Sequence, residues 1–525
     1  MPDTFAPRAV AGPEQAPITD TTENPSPIES VAPDWGRAKS RWLTLVLLAI
    51  CAGALAGAIR IHLGADLLHP DSPSYYVFDP SRPVGYPAFL WLVQSLSGNV
   101  SWAAPAQTIL VAIALFLLGL AIYRATRLPS LALAAQVALV SSVGIWNFSA
   151  VIMTEAVATS AVALWCAALI RNLFKPRIFA IFELIVFAAI ATTIRPALGA
   201  LFAGTAVLAL FLPQRREKLI ALLMVFAGCG AAWEASPVAQ WTVHGSMHAA
   251  SPFARGILQH SLFCPLGTAP TTSEGRFVES YAAPVRNYVD QAPPGALSKV
   301  RIEYSTRLRF GLIIPTLSRV HGLSWGWQTD PLLLQIAKER IRSNPLCFAG
   351  SVLNSYLRLA TFGTGETPRD IAEIRTFFAT HPQVQIPNLP TPPGEQKEVR
   401  QLASALHQPL PEGGLAGHTA KLPEHNSLPV IVLMEIIYGF ASMFGIAALG
   451  ACVFARRLPN RLAPIVLAVA ALGAAYHGAM AITAVVEFGL SRYLVPLWPI
   501  AVSIWALTAF GAWQWGSFET AVLRR

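Results

Sequence analysis

The sequence predicts an all-α polytopic membrane protein. Hydrophobic residues make up 54% of its 525 residues, charged residues make up 13%, and the mean hydropathy is +0.49. A soluble globular domain carries about twice that share of charged residues. The apolar residues are gathered in long runs, and the basic residues are gathered in the short polar turns between them. Both patterns are typical of helices that cross a bilayer several times.

Ten apolar runs are candidates for membrane spans, because a helix needs about 20 mainly apolar residues to cross the hydrocarbon core. The runs cover residues 42–59, 105–123, 131–145, 154–170, 179–194, 196–212, 219–243, 428–454, 462–481 and 494–515. The sequence therefore predicts about ten transmembrane helices and a large exported loop.

Clusters of arginine and lysine indicate the orientation of the chain. They lie before the first run, after the second, fourth, sixth and eighth runs, and at the end of the sequence. With ten crossings every cluster lies on the same side, which is the cytoplasmic side by the positive-inside rule. The protein is therefore expected in a bacterial inner (plasma) membrane, with both ends in the cytoplasm. This distribution accounts for the net charge of +9 without a nucleic-acid partner.

Five regions follow from this topology. Residues 1–41 are rich in proline, threonine, alanine and acidic residues and are expected to form a disordered cytoplasmic tail. The remaining regions are helices 1–7 with a first exported loop at 60–104 (residues 42–243), a large extracytoplasmic loop (244–427), helices 8–10 (428–515) and a second cytoplasmic tail (516–525). An apolar piece of the first exported loop, residues 86–96, is too short to span and is expected to lie in the interface.

The large extracytoplasmic loop is interrupted by glycine, proline and polar stretches, so it is expected to form short helices that rest on the membrane. It contains Cys264 and Cys347, which are the two cysteines outside the predicted spans. An oxidising compartment permits a disulfide between them, but the sequence does not give their distance. The other four cysteines are expected to be small core residues.

Charged residues from distant parts of the sequence are predicted to project to the exported face. They are Asp71, Arg82, Glu155, Arg195, Glu234 and Arg492. Charges are costly near a membrane, so their convergence indicates a functional site or a set of ion pairs. Asp71 can be a general base or a turn residue, since Asp-Ser-Pro favours a turn. Arg82 can hold a phosphate with planar hydrogen bonds, or it can extend to lipid headgroups.

The other charged residues also allow two interpretations. Glu155 can be a second catalytic acid, or it can interact only with the dipole of the helix that it opens. Arg195 precedes Pro196 and can mark a helix-breaking corner. Arg492 can pair with Glu487. Three nearby tyrosines can stack against a sugar or belong to the aromatic belt of the interface: Tyr75, Tyr76 and Tyr86.

Five short motifs give the chain a resemblance to a known family. They are Asp71 shortly after the first span, Arg82-Pro-Val-Gly-Tyr-Pro, Met153-Thr-Glu155, Ile194-Arg195-Pro196, and Ser491-Arg492-Tyr493-Leu-Val-Pro at the start of the last span. In this pattern the chain resembles the GT-C superfamily of integral-membrane glycosyltransferases, in particular the branch that contains protein O-mannosyltransferases and lipid A aminoarabinose transferases. The resemblance covers roughly residues 42–243 and 428–515.

The resemblance implies transfer of a sugar from a polyprenyl-phosphate donor to a lipid, glycan or protein acceptor on the extracytoplasmic face. Asp71 and Glu155 would be the catalytic acidic residues. Arg82 would contact the carrier phosphate, while Arg195 and Arg492 would face the phosphate or brace the acidic residues. The expected partners are thus the lipid-linked donor, the acceptor and the surrounding membrane lipids.

The sequence does not indicate a metal or nucleotide site. Many members of the family carry a second acid directly after the first, but here Ser72 follows Asp71, so the resemblance gives no support for a metal between adjacent carboxylates. His62 and His69 lie nearby, and their spacing matches no standard zinc motif. No glycine-rich phosphate loop of the Walker or dinucleotide-binding type is present. The sequence therefore indicates no certain cofactor and leaves a divalent metal possible but without support.

Two other functions would use these features differently. A transporter or flippase of lipid-linked saccharides would bind its substrate with the same charged groups, but transporters tend to carry ionisable residues near the bilayer midplane. A glycan polymerase or ligase would use arginines of the large extracytoplasmic loop, where Arg301, Arg307 and Arg309 are available, and would not need Asp71. The acidic residues lie mostly at one edge of the spans, which favours the glycosyltransferase.

Overall fold

A computed structural model describes residues 35–62, 67–69, 71–174, 177–245, 247, 252–323, 328–361, 368–386, 393–406, 428–458, 462–486 and 491–523. All regular secondary structure within these ranges is helical, which confirms the predicted all-α class for them. The tail predicted to be disordered lies outside the described residues up to position 34. The chain divides into two compact units, residues 1–45 and residues 46–525.

Ten described helices precede the large loop. They are α1 (Trp35–His62), α2 (Ser72–Tyr76), α3 (Gly85–Ser97), α4 (Ala103–Thr126), α5 (Pro129–Ser141), α6 (Val143–Ser149), α7 (Thr154–Arg171), α8 (Ile178–Ile194), α9 (Ala200–Leu210) and α10 (Arg215–His244). Short 3₁₀ turns, Val100–Trp102 and Pro196–Gly199, lead into α4 and α9. The helix expected in the interface at residues 86–96 corresponds to α3.

Seven described helices are long and apolar enough to cross a membrane. They are Arg41–Arg60, Val100–Thr126, Thr154–Arg171, Arg215–His244, Pro429–Phe454, Ala463–Val486 and Arg492–Gly516. Helices α5 and α6 would add one crossing as a pair bent by 50°, and Ile178–Ile194 and Pro196–Leu210 are shorter apolar helices. The protein thus has the long apolar helices of a membrane protein. The ten predicted spans all coincide with these elements, and the number of crossings stays a prediction.

Helix α7 lies at the centre of the helices that could cross the membrane. Nearly all of its residues are buried, including Trp165 and Cys166, and it packs against α4, α8 and the last helix of the chain. A helix that is apolar on all sides is expected to be enclosed by other helices. Its first turn carries Glu155, so a charged residue begins the most enclosed helix of this bundle.

The large loop between residues 244 and 427 forms eight described helices. They are α11 (Pro252–Leu262), α12 (Ser273–Val289), α13 (Pro294–Thr306), α14 (Ile314–His321), α15 (Asp330–Ser343), α16 (Pro345–Thr361), α17 (Pro368–Thr380) and α18 (Pro393–Ala405), with a π-helical turn at Arg307–Ile313. They are short, as the sequence predicts, but several pack around a hydrophobic core of their own that includes Leu258, Val300, Tyr304 and Leu333. These helices turn their apolar faces towards one another, so they form a small helical domain.

Covalent and polar contacts hold this helical domain together. Cys264 and Cys347, the pair that the sequence left open, form a disulfide with their Cα atoms 5.7 Å apart. The guanidinium group of the buried Arg340 donates to the carbonyl oxygens of Ser261 and Cys264 and to the carboxylate of Glu279. The last carbonyl groups of a helix have no intrahelical partners, so Arg340 satisfies the end of α11.

The remaining helices are α19 (Leu428–Ala451), α20 (Ala463–Val486) and α21 (Trp498–Leu523), with 3₁₀ segments at Cys452–Arg457 and Ser491–Leu497. Two helices of the large loop pack against the helices that form the main core. In α16 the hydroxyl of Tyr356 lies 2.7 Å from Nδ1 of His477 in α20. In α18 the buried Leu402 belongs to the main core, and this helix packs against α2. The loop helix α18 therefore lies beside the segment that carries Asp71.

Candidate active site

The segment from His69 to Ser72 is fixed to the chain that enters α7. The hydroxyl of Ser72 donates to the carbonyl oxygen of Ile152 at 2.9 Å and accepts the backbone N–H of His69 at 2.8 Å. The backbone N–H of Ile152 donates to the carbonyl oxygen of Leu67 at 3.1 Å. These bonds bring Asp71 close to the first turn of α7 although about eighty positions separate them in the sequence.

A buried glutamine of α4 holds the same entrance to α7 against α3. The side-chain amide of Gln107 donates to the carbonyl oxygen of Ser149 at 2.8 Å, and its oxygen accepts the hydroxyl of Tyr86 at 3.1 Å. A buried carboxamide needs such partners because burial without hydrogen bonds is costly. Gln107 therefore connects the Arg-Pro-x-Gly-Tyr-Pro motif with the Met-Thr-Glu motif.

A polar stripe on α10 holds the backbone between α2 and α3. Ser236, Gln240 and His244 are spaced by four residues and share one helix face. The Ser236 hydroxyl accepts the N–H of Val84 at 3.1 Å, the Gln240 amide donates to the carbonyl of Asp79 at 3.3 Å, and Nε2 of His244 lies 2.9 Å from the carbonyl of Phe78. The loop that carries Arg82 is thereby fixed at several points.

Gly85 lets this loop approach the end of α8. A Cβ atom at this position would lie 2.7 Å from the backbone carbon and from the hydroxyl oxygen of Thr193. These distances are too short for any side chain, so the close approach of α3 to α8 depends on glycine. Arg195 follows two positions later, which brings it near the Arg82 loop.

The carboxylate of Asp71 contacts two arginines. Nη2 of Arg82 donates to its Oδ1 at 2.7 Å, and Nη1 of Arg492 lies 3.5 Å from its Oδ2. Asp71 precedes α2, but its side chain makes no capping hydrogen bond to that helix. The side chain is 27% exposed. Asp71 therefore occupies the turn position and makes the ionic contacts at the same time, and its side chain is partly exposed.

The charges around Asp71 keep it ionised. Burial alone would raise the pKa of Asp71, but the charges of Arg82 and Arg492 outweigh burial and hold this pKa well below its usual range. Burial lowers the pKa of the neighbouring His69. Nδ1 of His69 accepts the backbone N–H of Asp71 at 3.2 Å, so this histidine is neutral at pH 7 and carries its proton on Nε2. Asp71 is thus an anion between two cations.

Arg82 has a protein partner for each of its guanidinium nitrogens. Nε donates to the hydroxyl of Ser74 at 2.7 Å, Nη1 donates to the hydroxyl of Tyr75 at 3.3 Å, and Nη2 binds Asp71. The Ser74 hydroxyl in turn donates to the backbone carbonyl of Asp71 at 2.6 Å. Arg82 is therefore held within the loop, and it fixes the position of Asp71.

Glu155 and Arg195 form a second ion pair. Glu155 is fully buried in the first turn of α7, and Nη2 of Arg195 donates to its Oε1 at 3.4 Å. Helix α8 ends at Ile194, Arg195 has an extended backbone, and Pro196 opens the next 3₁₀ turn. Arg195 therefore marks a helix-breaking corner and also braces an acidic residue, because the corner turns its side chain towards Glu155.

Tyr493 connects the two ion pairs. The Cζ atoms of Arg195 and Arg492 lie 4.7 and 5.1 Å from the centre of its ring. Nη2 of Arg492 also donates to its hydroxyl at 3.1 Å. We call Asp71, Arg82, Glu155, Arg195 and Arg492 the arginine–carboxylate cluster. Two of its buried nitrogens, Nη1 of Arg195 and Nε of Arg492, have no hydrogen-bond partner within the described part of the chain.

The three predicted sugar-stacking tyrosines differ in exposure. Tyr75 and Tyr86 are buried and pack edge to face with their ring centres 5.2 Å apart. Their rings offer no open face to a sugar in this arrangement, because each is enclosed by its neighbours. Tyr76 is partly exposed and stays a candidate for a sugar contact.

Other charged residues considered from the sequence lie outside the cluster. Glu234 is on an exposed face of α10, and Glu487, the alternative partner of Arg492, is outside the described residues. In the large loop, Arg307 forms an ion pair with Glu303, and Arg309 donates to Gln259 at 2.6 Å. These loop arginines make contacts within their own helical domain.

Several residues of the site carried no clear signal in the sequence. Ser74 and Tyr493 touch the guanidinium groups of the cluster, but a serine in a turn and a tyrosine at a helix entrance are common at membrane surfaces. The spacing of Ser236, Gln240 and His244 by four residues was a usable signal, because polar residues on one face of an apolar helix indicate a polar neighbour.

No metal centre is evident in the part of the chain that the structure describes, since no three histidine, cysteine, aspartate or glutamate side chains are grouped to hold an ion there. A cleft of about 630 Å³ opens in the helical domain of the large loop, between residues 266–275 and α15. Its lining includes Thr268, Gln335 and Lys338, and no member of the arginine–carboxylate cluster. We place the chemistry at the cluster because its carboxylates and guanidinium groups come from separate segments of the chain and meet between helices that could cross a membrane.

Comparisons with protein-family models, with curated proteins and with solved structures find no match to this chain. The chemistry of the site therefore rests on its geometry, in which three guanidinium groups and two carboxylates meet between helices that could cross a membrane.

Proposed function

We propose that the protein is a glycosyltransferase of the bacterial inner membrane that transfers a sugar from a polyprenyl-phosphate donor to a lipid, glycan or protein acceptor on the extracytoplasmic face. The observation that carries this proposal is the arginine–carboxylate cluster. Its members come from separate segments of the chain and meet through ion pairs. The resemblance of the same motifs to the GT-C superfamily supports the same conclusion.

The charges of the cluster suit a lipid phosphate. Guanidinium groups form paired, charge-assisted hydrogen bonds with phosphate oxygens. The buried Nη1 of Arg195 and Nε of Arg492 have no partner among the described residues, and a buried donor without a partner is unfavourable. A phosphate that enters the cluster would supply acceptors for these nitrogens. Its polyprenyl chain would remain in the surrounding lipid.

In the proposed reaction an acceptor hydroxyl or amine attacks the anomeric carbon of the sugar. The bond between this carbon and the phosphate oxygen breaks, and polyprenyl phosphate leaves with the bonding electron pair. Asp71 takes the proton that the acceptor loses, which is general base catalysis. The arginines stabilise the negative charge that develops on the phosphate oxygen, and such electrostatic stabilisation is usually the largest catalytic contribution.

Asp71 is a weak base while Arg82 and Arg492 both neutralise its charge. A base is most effective when its pKa lies near the working pH, and the pKa of Asp71 lies well below its usual range. When a phosphate occupies Arg492, the positive potential at Asp71 falls and its pKa rises. In this proposal donor binding therefore prepares Asp71 to accept a proton.

Glu155 has a different role in this proposal from Asp71. Its side chain is fully buried and paired with Arg195, so it positions that arginine and balances its charge. A buried ion pair that loses one partner leaves the other charge uncompensated. Arg195 therefore needs Glu155 when the donor is absent.

The replacement Asp71→Asn tests the proposed function. The amide keeps the shape of the side chain but cannot act as the base, so sugar transfer should fall about 10²- to 10⁴-fold. The assay uses purified protein, radiolabelled polyprenyl-phosphate hexoses and pentoses, and total membrane lipids and proteins as acceptors. Asp79→Asn is the matched control, because Asp79 lies in the same loop and its Oδ1 accepts the N–H of Ser81, a bond that asparagine can retain.

The results separate the proposed enzyme from a transporter. Transfer by Asp71→Asn within a few-fold of the unchanged protein would contradict the role of Asp71 as base. Movement of an intact lipid-linked saccharide between leaflets, without sugar transfer by the unchanged protein, would instead identify a flippase. Asp79→Asn should transfer sugar at close to the unchanged rate, which excludes a general effect of removing a carboxylate from this loop.

A further inference from the structure

Tyr493 lies between two guanidinium groups that carry the same charge. Its ring centre is 4.7 Å from Cζ of Arg195 and 5.1 Å from Cζ of Arg492, and its hydroxyl accepts Nη2 of Arg492. The negative face of an aromatic ring attracts cations, by about 0.5–1 kcal/mol at exposed sites and more when water is excluded. One side chain thus compensates part of the repulsion between two arginines.

The carboxylates complete this arrangement asymmetrically. Glu155 pairs with Arg195 at 3.4 Å, and Asp71 lies 3.5 Å from Arg492. Each of the two arginines therefore has one carboxylate, while the ring of Tyr493 is the group that both share. Each also has one buried nitrogen without a partner among the described residues.

Arg82 differs from this pair. Each of its three nitrogens already donates to a protein oxygen, of Ser74, Tyr75 and Asp71, so the loop fixes the orientation of its guanidinium group and leaves two of its five N–H groups without these partners. Arg195 and Arg492 each have a buried nitrogen that makes no hydrogen bond among the described residues. An anion that binds these nitrogens breaks no existing hydrogen bond. Among the described residues of the cluster, the buried nitrogens that make no hydrogen bond therefore belong to the two arginines on Tyr493.

We propose that Tyr493 is a positioning residue that holds Arg195 and Arg492 together as the seat of the donor phosphate, whereas Arg82 positions Asp71. This inference rests on the proposed function only in naming the phosphate as that of a polyprenyl carrier. The ring sets the spacing of the two guanidinium groups, and the hydroxyl sets the orientation of Arg492. Without the ring the two cations would separate, and a phosphate could engage only one of them at a time.

The test is binding of a polyprenyl monophosphate to the purified full-length protein, measured by ligand-dependent thermal stabilisation in detergent. Tyr493→Leu removes the ring and the hydroxyl and should weaken affinity on the order of 30-fold, from two cation–π contacts and one hydrogen bond. Tyr493→Phe removes only the hydroxyl and should weaken affinity about threefold to tenfold. Tyr123→Leu is the matched control, since it makes the same replacement at a tyrosine near the end of α4 that does not belong to the cluster.

A double replacement separates positioning from a general loss of stability. Lysine at position 492 cannot donate from two nitrogens in one plane, so the effect of Tyr493→Phe should largely disappear in an Arg492→Lys background. This coupling can be measured even if Tyr493→Leu does not fold. Equal losses from Tyr493→Phe in both backgrounds, or unchanged affinity in Tyr493→Leu, would overturn the inference.

Two other ligands test whether the bound phosphate belongs to a polyprenyl carrier, to a phospholipid or to free phosphate. Inorganic phosphate and the acidic phospholipid phosphatidylglycerol are tested in parallel, and both should bind far more weakly than the polyprenyl monophosphate. Phosphatidylglycerol that binds equally well, with the same dependence on Tyr493, would overturn the assignment to a carrier lipid. Binding of the polyprenyl monophosphate that depends on Tyr493, without any sugar transfer, would contradict the proposed function while supporting the role of Tyr493.

Discussion

Arg82 and Arg492 both approach the carboxylate of Asp71, but they differ in what else their guanidinium groups contact. Arg82 is held by Ser74 and Tyr75, which belong to the same loop as Asp71. Arg492 comes from the other end of the chain and also contacts Tyr493. The two arginines at this carboxylate can therefore have separate roles. Arg82 positions the base Asp71, and Arg492 is available to bind the ligand.

Replacing Arg82 by alanine tests this difference. Asp71 would lose its shortest ionic contact, and a small displacement of a catalytic group can lower the rate about 10²-fold. Sugar transfer should therefore fall by about that factor, while affinity for polyprenyl monophosphate should change less than about threefold. Arg82→Lys should recover part of the rate as a point charge. The measurements are the turnover rate and the dissociation constant of the carrier phosphate.

Arg195→Ala serves as the comparison for Arg82→Ala. It should reduce affinity for the carrier phosphate, because it removes one member of the arginine pair on Tyr493. Equal losses of affinity in the two variants would show that Arg82 itself contacts the phosphate, as the resemblance to the GT-C superfamily implies.

The sequence could identify the charged residues of the site but not their partners. Asp71, Glu155 and Arg492 are conspicuous because charges near membrane helices are costly. The position of Tyr493 between two arginines depends on the meeting of α8 with the segment before α21, and nothing in the local sequence encodes that meeting. For the same reason the sequence could not show that Arg82 donates to Ser74 and Tyr75. Its contact with the phosphate, which the resemblance implies, stays a prediction.

At the level of elements, the close contact between α3 and α8 aligns two parts of the site. Gly85→Ala would place a Cβ atom 2.7 Å from the backbone of Thr193, so the loop with Arg82 would have to move away from Arg195. Overpacking of this kind costs about 1–3 kcal/mol. Thermal unfolding in detergent should show this loss, together with slower sugar transfer.

Gly230→Ala in α10 is the control for Gly85→Ala. No atom lies within 4 Å of the Cβ position there, and alanine is the better helix former, so stability should be unchanged or slightly higher. If Gly85→Ala were as stable and as active as Gly230→Ala, the contact with Thr193 would not be needed to align the site.

Apolar runs predicted helices well, whereas helix ends and breaks were less predictable. The run at 179–194 corresponds closely to α8 (Ile178–Ile194), while α1 begins at Trp35, before the predicted start of the first span. The run at 131–145 is divided near Ser142 into α5 and α6. Hydrophobicity gives the length of an apolar run, but a bend is set by packing against neighbouring helices.

For the whole molecule, the proposed topology places the helical domain of the large loop outside the cytoplasm. Single cysteines at Arg216 and at the exposed Ser280 can test it with an impermeant thiol reagent on spheroplasts. Ser280→Cys should react in intact spheroplasts, and Arg216→Cys only after permeabilisation, because the positive-inside rule predicts a cytoplasmic basic turn. The four free cysteines, Cys51, Cys166, Cys229 and Cys452, are replaced beforehand.

The native disulfide can remain in place during this experiment. Cys264 and Cys347 are bonded to each other and do not react with the reagent, so the helical domain keeps its structure. Labelling of Arg216→Cys before permeabilisation would reverse the proposed orientation. The disulfide itself agrees with an oxidising compartment, which supports the extracytoplasmic placement.

The separate core of the large loop was not foreseeable from the sequence. Its helices are short and interrupted, and their apolar faces do not reveal which surface they cover. Long-range contacts decide this, such as that of the Arg340 guanidinium with the end of α11. The packing of α18 against α2 is another case, because many residues separate them in the sequence.

The vacant nitrogens of Arg195 and Arg492 have a consequence for the recycling of the carrier. In the proposed reaction the donor phosphate is a diester, and the spent carrier is a monoester, which carries more negative charge at neutral pH. The arginine pair would then hold the product more firmly than the substrate. Turnover would be limited by departure of the empty carrier, as in many enzymes in which product release is slowest. The protein would slow down when spent carrier accumulates in the membrane, so glycosylation would follow the rate at which the cell reloads the carrier.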